Sequence, residues 1–597
     1  MPKSTAQSFK IDLHVHSRHS TRPSQWVLQR MGCPESFTEP RMIYDIARAR
    51  GMSLVTITDH NTVAGALEIA HLPGTFVSEE ITTYFPEDRC KLHVLAYDIT
   101  EAHHAEFQRL RDNVYDLAVY LRAEGIVHVL AHPLFAVNGK LTPGHFERAL
   151  LLFNTLELNG SRDGFQNRAL RQIVEALTPE NMAELAERHG IAPHGPEPWR
   201  KALVAGSDDH SSLGIASMHT QFGGPATVPN LLAQLRAGQG RVLGQPATPW
   251  HMAHNLSGIA YQFYKSRAGN LPEAHPCVRF ADALLDPGRP RQRGPRALLR
   301  RATDHLRLGL FSLVADKNST SAMLLREARA VLQADPAMRQ VAAKKPVKAT
   351  VAKAGVDNAQ AEAATTGTNT WANTDGPEQL WRRFVSRVSD RLLTHFAGRT
   401  LRAVQGADIF GLFHEMASAG SLYAMLSPFF LSCELFARER AFARECLRGF
   451  GLEASRPRKR SGETLKVAHF TDTFAEVNGV ARTIQQQIAL SARHGKDMAV
   501  VTCTDIPGGQ DDLAPGAARF APVGSFQLPE YPEITLNYPP FLKMLAWCAE
   551  QEFDMILTAT PGPVGLAGLA IARVLKIPVH GTYHTAFPQY VRMFTED

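Results

Sequence analysis

The sequence predicts an α/β protein in two blocks, and three observations carry that reading. Short apolar runs of strand character alternate with stretches of helical periodicity between residues 8 and 210. Six of the seven runs carry a histidine or a carboxylate at or near one end. A second pattern of strand, glycine-containing loop and helix starts near residue 465. Strands alternating with helices imply a parallel sheet or barrel, and the C-terminal rim of such a barrel is where side chains converge for chemistry.

The expected strands of the first block are Phe9–Leu13, Leu54–Thr58, Phe76–Val77, Leu92–Ala96, Val127–Leu130, Thr155–Leu158 and Leu203–Ala205, with helices over Met42–Arg50 and Glu106–Glu124 among the connections. The first run leads into IDLHVHS, where His14 and His16, two apart on a strand, share one face and can address one metal ion. The second ends in Asp59 and His60, and the third leads to Glu80. His93 lies on the fourth, His132 follows the fifth, and Asp208 and His210 follow the seventh. The predicted metal ligands are therefore His14, His16, His60, Glu80, His93, His132, Asp208 and His210. Asp59 either takes a direct catalytic part or orients a neighbouring histidine. Mixed imidazole and carboxylate donors suit Zn, Mn or Fe better than Mg or Ca. Arg18 and Arg22, just past the histidine pair, are placed to hold a phosphate. One further helix and strand are expected over Pro225–Leu243, with a domain end near residue 265.

Composition narrows the function. The 597 residues are 44% hydrophobic and 20% charged, as expected of a mostly folded chain of several domains. A net charge of +6 makes no case for nucleic acid, because the basic runs PGRPRQRGPRALLRR and RPRKR fall in linkers without interleaved aromatics. Seven scattered cysteines without a C-x-x-C pair, and a polar N-terminus, predict a reducing cytoplasmic location. The uncharged run Ala417–Cys433 falls short of the roughly 20 apolar residues of a membrane span and reads as a buried helix. Fifteen of the 25 histidines precede residue 220, which puts the chemistry in the first third.

The motifs DLHVHS, TDH, EEIT, LHVLAYDI, LAHP and GSDDHSS, in this order and spacing, resemble those of the PHP (polymerase and histidinol phosphatase) family over about residues 8–260. The resemblance implies a distorted seven-stranded β/α barrel that holds two or three zinc, manganese or iron ions and hydrolyses phosphoesters. By the same resemblance His14 and His16 bind one ion, Glu80 bridges, His60, His93 and His132 complete neighbouring ions, and Asp208 and His210 close the site. Many relatives carry a further histidine or an acidic residue about eight positions after the first of the pair. Here that place holds Thr21 and Arg22, with His19 the nearest ring that could substitute.

After residue 265 the expected order is a basic linker with helices (266–335), a low-complexity disordered linker (336–376) and a helical connector (377–455). The last block has strands over Leu465–Phe470, Met498–Cys503, Met555–Leu557 and Val579–Tyr583, and helices over Thr483–His494 and Val564–Leu575. Its stretches TDTFAEVNGVART, TPGPVGLAGLAIARVLKIPV and GTYHTAFPQY resemble the N-terminal domain of family 4 retaining glycosyltransferases, of GT-B fold, over about residues 465–597. That implies a nucleotide-sugar donor whose phosphates lie near Asn478 and Gly479, His584 lining the transfer site, and an acceptor that is a glycan or a lipid at a membrane surface. Because the pattern stops at Asp597, the transferase-like part is expected to be incomplete and inactive as written. The combined expectation is a bifunctional chain, with a phosphoesterase acting on a phosphorylated small molecule or glycan/lipid intermediate. Two alternatives are a regulatory, non-catalytic barrel on a glycosyltransferase and a nuclease acting on polynucleotide ends.

Overall fold

A computed structural model describes residues 8–23, 29–30, 32–267, 276–286, 377–405, 426–452, 465–474, 476, 478–504, 517–528 and 531–582. The expected linkers at 287–335 and 336–376 lie outside the described residues, as do part of the run Ala417–Cys433 and the segment around His584.

The chain is a mixed α/β protein. In its first part β1 (Ser8–Ile11) pairs antiparallel with β7 (Met218–Gly223), which pairs in turn with β8 (Arg241–Gly244). A second sheet runs in the order β2 (Ser78–Tyr84), β3 (Lys91–Tyr97), β4 (Val127–Leu130), β5 (Thr155–Asn159) and β6 (Ala202–Gly206). Isolated parallel bridges join the two: Val15 to Asp209, Val55 to Thr75, and His60 to Glu80. Backbone bonds from Thr58 N to Val15 O and from His16 N to Asp209 O run along the same path. Gly206 is required here, since a Cβ at that position would come 2.3 Å from the Cβ of His14.

The sheet departs from the expected all-parallel order. β2, β3 and β4 are antiparallel to one another, and only β4, β5 and β6 run parallel. β2 and β3 form a hairpin closed by Phe85–Cys90, whose Pro86, Glu87 and Asp88 are a turn signal between two strand-like runs. The expected run Phe76–Val77 is only the approach to the seven-residue β2, and Leu54–Thr58 contributes a bridge rather than a ladder strand. Consequently His93 reaches the interior from the middle of an antiparallel strand, not from a parallel rim.

In the last part five strands are all parallel, in the order β11 (Ala517–Phe520), β10 (Asp497–Cys503), β9 (Lys466–Phe470), β14 (Met555–Thr558) and β15 (Val579–Gly581). A hairpin of β12 (Gly524–Leu528) and β13 (Tyr531–Tyr538) stands beside this sheet and has no counterpart in the sequence reading. The helices between the two parts are not a loose connector. Trp250 and Ala253 of helix Pro249–Arg267, Phe280 and Leu284 of Pro276–Leu285, Leu380 and Val388 of Pro377–Gln405, and Phe429 and Cys433 of Ser427–Gly449 share one buried core with Ala468, Phe470 and Val501 of the parallel sheet. At about 1.5–3 kcal/mol per large buried apolar side chain, that shared core ties the helices to the sheet. The boundary expected at residue 265 therefore falls within a helix that packs against both parts. Among the described residues no helix is long and apolar enough to cross a membrane.

Candidate metal centre

Two strands, β2 with Glu80 and β3 with His93, and the loops that follow other strand-like runs bring eight predicted ligand side chains to one buried point. Glu80 is fully buried and stands at its centre. Its Oε2 lies 3.2 Å from His14 Nε2, 3.1 Å from His16 Nε2 and 2.9 Å from His60 Nδ1. Its Oε1 lies 2.9 Å from His93 Nδ1 and 3.2 Å from His132 Nε2. Asp208 Oδ1 is 3.4 Å from both His14 Nε2 and His16 Nε2, and 3.7 Å from His210 Nδ1. Three overlapping groups have ligand atoms spaced to share an ion: His14, His16 and Asp208; His60, Glu80 and His93; and His16, His60 and His210.

The contacts do not read as an ordinary hydrogen-bond network. His60 Nδ1, His93 Nδ1 and Glu80 Oε2 are buried and close together, yet they make no hydrogen bond. His14 Nε2 and His16 Nε2 face each other at 2.9 Å. Lone pairs directed at a common point rather than at a partner's proton suit a shared cation, so the residues present fit a divalent metal cluster.

Neighbouring groups fix the rings. His14 Nδ1 is 2.8 Å from Glu157 Oε1, which leaves Nε2 to face the cluster. His16 Nδ1 is 2.9 Å from Ser20 Oγ, and that hydroxyl donates to Asp59 Oδ1 at 2.9 Å. The Asp59 carboxylate also accepts from Ser17 N and Ser17 Oγ. Asp59 thus stands beside the cluster and acts on His16 through Ser20, which is the orienting alternative left open by the sequence. His132 and Asp208 sit at φ 28° and 51°, a left-handed backbone that costs about 1–3 kcal/mol each and is retained where side chains must be presented at a set angle.

Electrostatics follow from burial among mixed charges. Burial opposes the charged ring of His14, but Glu157, Glu80 and Asp208 outweigh it and push its pKa well above the usual histidine range. Burial would raise Glu80, but His60, His14 and His93 hold it well below the usual carboxylate range. Burial lowers His93 to about 3 and His210 to about 4.

Three residues that the sequence reading passed over complete the site. Glu35 is buried with Oε2 3.1 Å from His60 Nε2 and Oε1 3.7 Å from His210 Nε2, and His60 and His210 hold its pKa down to about 2 against burial. Glu157 was hidden as an ordinary strand residue. Arg162 lines the pocket over the cluster, with Nη2 3.5 Å from Asp208 Oδ2. Met252, Leu256 and Ile259 of helix Pro249–Arg267 also line this pocket.

Other predicted residues lie elsewhere. Arg18 is partly exposed, is engaged by Glu39 Oε2 at 2.6 Å and Glu68 Oε1 at 2.8 Å, and does not line the pocket over the cluster. His19 pairs with the same Glu68 at 2.7 Å and does not substitute in the cluster. Arg22 is exposed. In the last part, Asn478 caps helix Gly479–Arg493 by accepting from Ala481 N at 2.8 Å, and Gly479 opens that helix at the end of the loop after β9. His584 lies outside the described residues.

Residues 477–596 match glycosyltransferase family 4. The matched stretch takes in the end of the loop after β9, helix Gly479–Arg493 and the parallel strands that follow, so the resemblance to family 4 glycosyltransferases drawn from the motifs is borne out. The chain is 32% identical over 133 residues to an alpha-monoglucosyldiacylglycerol synthase of Streptococcus pneumoniae, covering 21% of this chain and 28% of that protein. It is 39% identical over 72 residues to an uncharacterised protein of Methanocaldococcus jannaschii, covering 12% of this chain and 40% of that one. The chain thus spans well under half the length of either curated relative. A solved candidate metal-dependent phosphoesterase of Bifidobacterium adolescentis aligns over 34% of this chain and 88% of its own, at 17% identity and a TM-score of 0.23.

Proposed function

We propose that the first part of the chain, about residues 8–265 with the rest of helix Pro249–Arg267, is a distorted seven-stranded β/α barrel of PHP type that hydrolyses a phosphate ester with two or three Zn, Mn or Fe ions. One observation carries this: a single buried carboxylate, Glu80, is surrounded by five imidazoles with ring nitrogens within 3.2 Å. The bridges Val15 to Asp209, Val55 to Thr75 and His60 to Glu80 support barrel closure.

When bound, the ions supply charge neutralisation for the phosphate and a more acidic water. The chain's own groups do the rest. His14, His16 and Asp208 hold one ion position; His60, Glu80 and His93 hold a second; His132, His210 and Glu35 complete the neighbourhood. Glu157 and Ser20 keep His14 and His16 in the tautomer that presents Nε2. Arg162 presents a planar guanidinium suited to a phosphate's oxygens, in place of the predicted Arg18 and Arg22. The apolar wall of Met252, Leu256 and Ile259 keeps bulk water from the ester.

The family 4 segment is assigned to sugar transfer from a nucleotide sugar to a glycan or lipid acceptor, with Asn478 and Gly479 near the donor phosphates and His584 at the transfer site. Its support is the family match together with the lipid glycosylation named for the Streptococcus pneumoniae relative. The phosphorylated substrate of the first part is then a glycan, lipid or small-molecule intermediate of the same chemistry.

The test is metal analysis and p-nitrophenyl phosphate hydrolysis by the purified full chain. At least two transition-metal ions per chain and turnover abolished by a chelator are expected. Less than one ion per chain after incubation with Mn and Zn would overturn the reading.

A further inference from the structure

Arg162 stands between the metal-type cluster and a helix from the other end of the chain. It is buried, and its guanidinium lies 3.8 Å over the Phe135 ring. One arm, Nη2, reaches Asp208 Oδ2 at 3.5 Å; the other, Nη1, donates to Glu439 Oε1 at 3.1 Å. Its Nε is buried with no hydrogen-bond partner. Glu439 belongs to helix Ser427–Gly449, 277 residues later in the chain, and is itself buried. The adjacent Arg440 pairs with Asp163, the residue after Arg162, and its Nη1 donates to Ala549 O at 3.0 Å at the end of helix Phe541–Gln551. Neighbouring residues of opposite sign therefore cross between the two parts of the chain.

These ion pairs are not needed to dock the helix, since Phe436, Ala443, Cys446 and Leu447 already pack into the apolar cores. A buried pair often costs as much in desolvation as it returns in attraction, so what it adds is geometry. The geometry here is specific. Without Glu439, the nearest carboxylate to Arg162 is Asp208, a ligand of the cluster, and a guanidinium closed onto Asp208 would compete both with a cation and with a phosphate.

We propose that Glu439 is a positioning residue of the metal centre, sharing the Arg162 guanidinium with Asp208 so that the fork does not close entirely onto that carboxylate and keeps its place in the pocket for the substrate phosphate, and that helix Ser427–Gly449 thereby completes the phosphoesterase site. The proposal rests on the phosphoesterase reading above. It places part of the first activity on the connection to the family 4 segment.

The experiment uses the full chain loaded with Mn, as wild type, Glu439→Gln, Glu439→Asp, Arg162→Lys and the double variant that combines Glu439→Gln with Arg162→Lys. Three quantities are read: Mn per chain, inorganic phosphate affinity by calorimetry, and the split between KM and kcat on p-nitrophenyl phosphate. Glu439→Gln is expected to keep the wild-type Mn content and a kcat within about threefold, while phosphate affinity falls and KM rises on the order of tenfold, as for loss of a charge-assisted hydrogen bond. Glu439→Asp recovers part of that loss. Arg162→Lys, which keeps the charge but loses the fork, weakens phosphate binding at least as much, and the double variant is no worse than Arg162→Lys alone. Wild-type phosphate affinity in folded, Mn-loaded Glu439→Gln overturns this proposal alone. A wild-type chain that binds no Mn overturns the phosphoesterase reading with it.

Discussion

The metal-type cluster and the loop ends of the parallel β9–β15 sheet are built from different material. In the first part side chains make the site: five imidazoles converge on Glu80, and left-handed backbone at His132 and Asp208 presents two of the clustered side chains. In the family 4 segment the corresponding loops are organised by backbone groups and caps. Asn478 caps one helix, and Asp472 accepts from Val564 N at 2.8 Å and Gly565 N at 3.3 Å at the start of helix Pro563–Val574. A site built from side chains concentrates rare residue types and pays for them in burial and strain. One built from helix ends needs only small residues and a cap, and it leaves a fainter trace in the sequence.

That contrast can be broken most directly at Glu80. Glu80→Gln leaves the shape but removes the charge that five rings surround, so under the proposed function metal content should fall below one ion per chain and phosphomonoester turnover should drop by at least about 10³-fold. Retained metal and turnover would show that the cluster does not serve chemistry.

The helix that packs against both parts offers a second probe, through pH. His254 is buried and its Nε2 donates to Leu284 O at 2.9 Å. Burial lowers its pKa from 6.5 to about 4, so between those values the unfolded chain takes up a proton that the folded chain refuses. Stability is thus fully present above about pH 6.5 and is lost as pH falls toward 4, by about 3 kcal/mol from this one group. Urea unfolding of wild type and His254→Leu at pH 7 and pH 4.5 should show a smaller acid loss in the variant. Equal losses in both would remove His254 from the account.

A smaller effect is expected in the family 4 segment. Asp472→Ala removes the carboxylate at the start of helix Pro563–Val574 and should cost about 1–2 kcal/mol there, read as faster amide exchange in that helix, with Mn content and phosphomonoester turnover unchanged. Unchanged exchange would show that the cap is dispensable, and loss of metal would show that the two parts are not built independently in this respect.

The clustered side chains were legible because each is an uncommon residue next to a strand-like run: His14 and His16 two apart, His132 in AHP, Asp208 and His210 in GSDDH. Glu35 and Glu157 were not, since a single acidic residue in a loop or on a strand is ordinary until the fold brings it to an imidazole. Arg18 and Arg22 were plausible by proximity along the chain, but Glu39 and Glu68 hold Arg18 on the surface. Strand direction was misread for β2 and β3 because periodicity reports which face a residue takes and not which way its strand runs.

The residues alone determined the kinds of side chain this protein brings to bear: a concentration of imidazoles and carboxylates in the first third, and a strand, loop and helix pattern that matches glycosyltransferase family 4 at the end. Tertiary structure alone decided which groups act on one another. It set Asp59 behind Ser20 and His16, made Arg162 rather than Arg18 face the pocket, and brought Glu439 across 277 residues to Arg162. The physical reason is that donor type is a property of a single residue, whereas distance, burial and the direction of a lone pair belong to pairs that only the packed chain brings together.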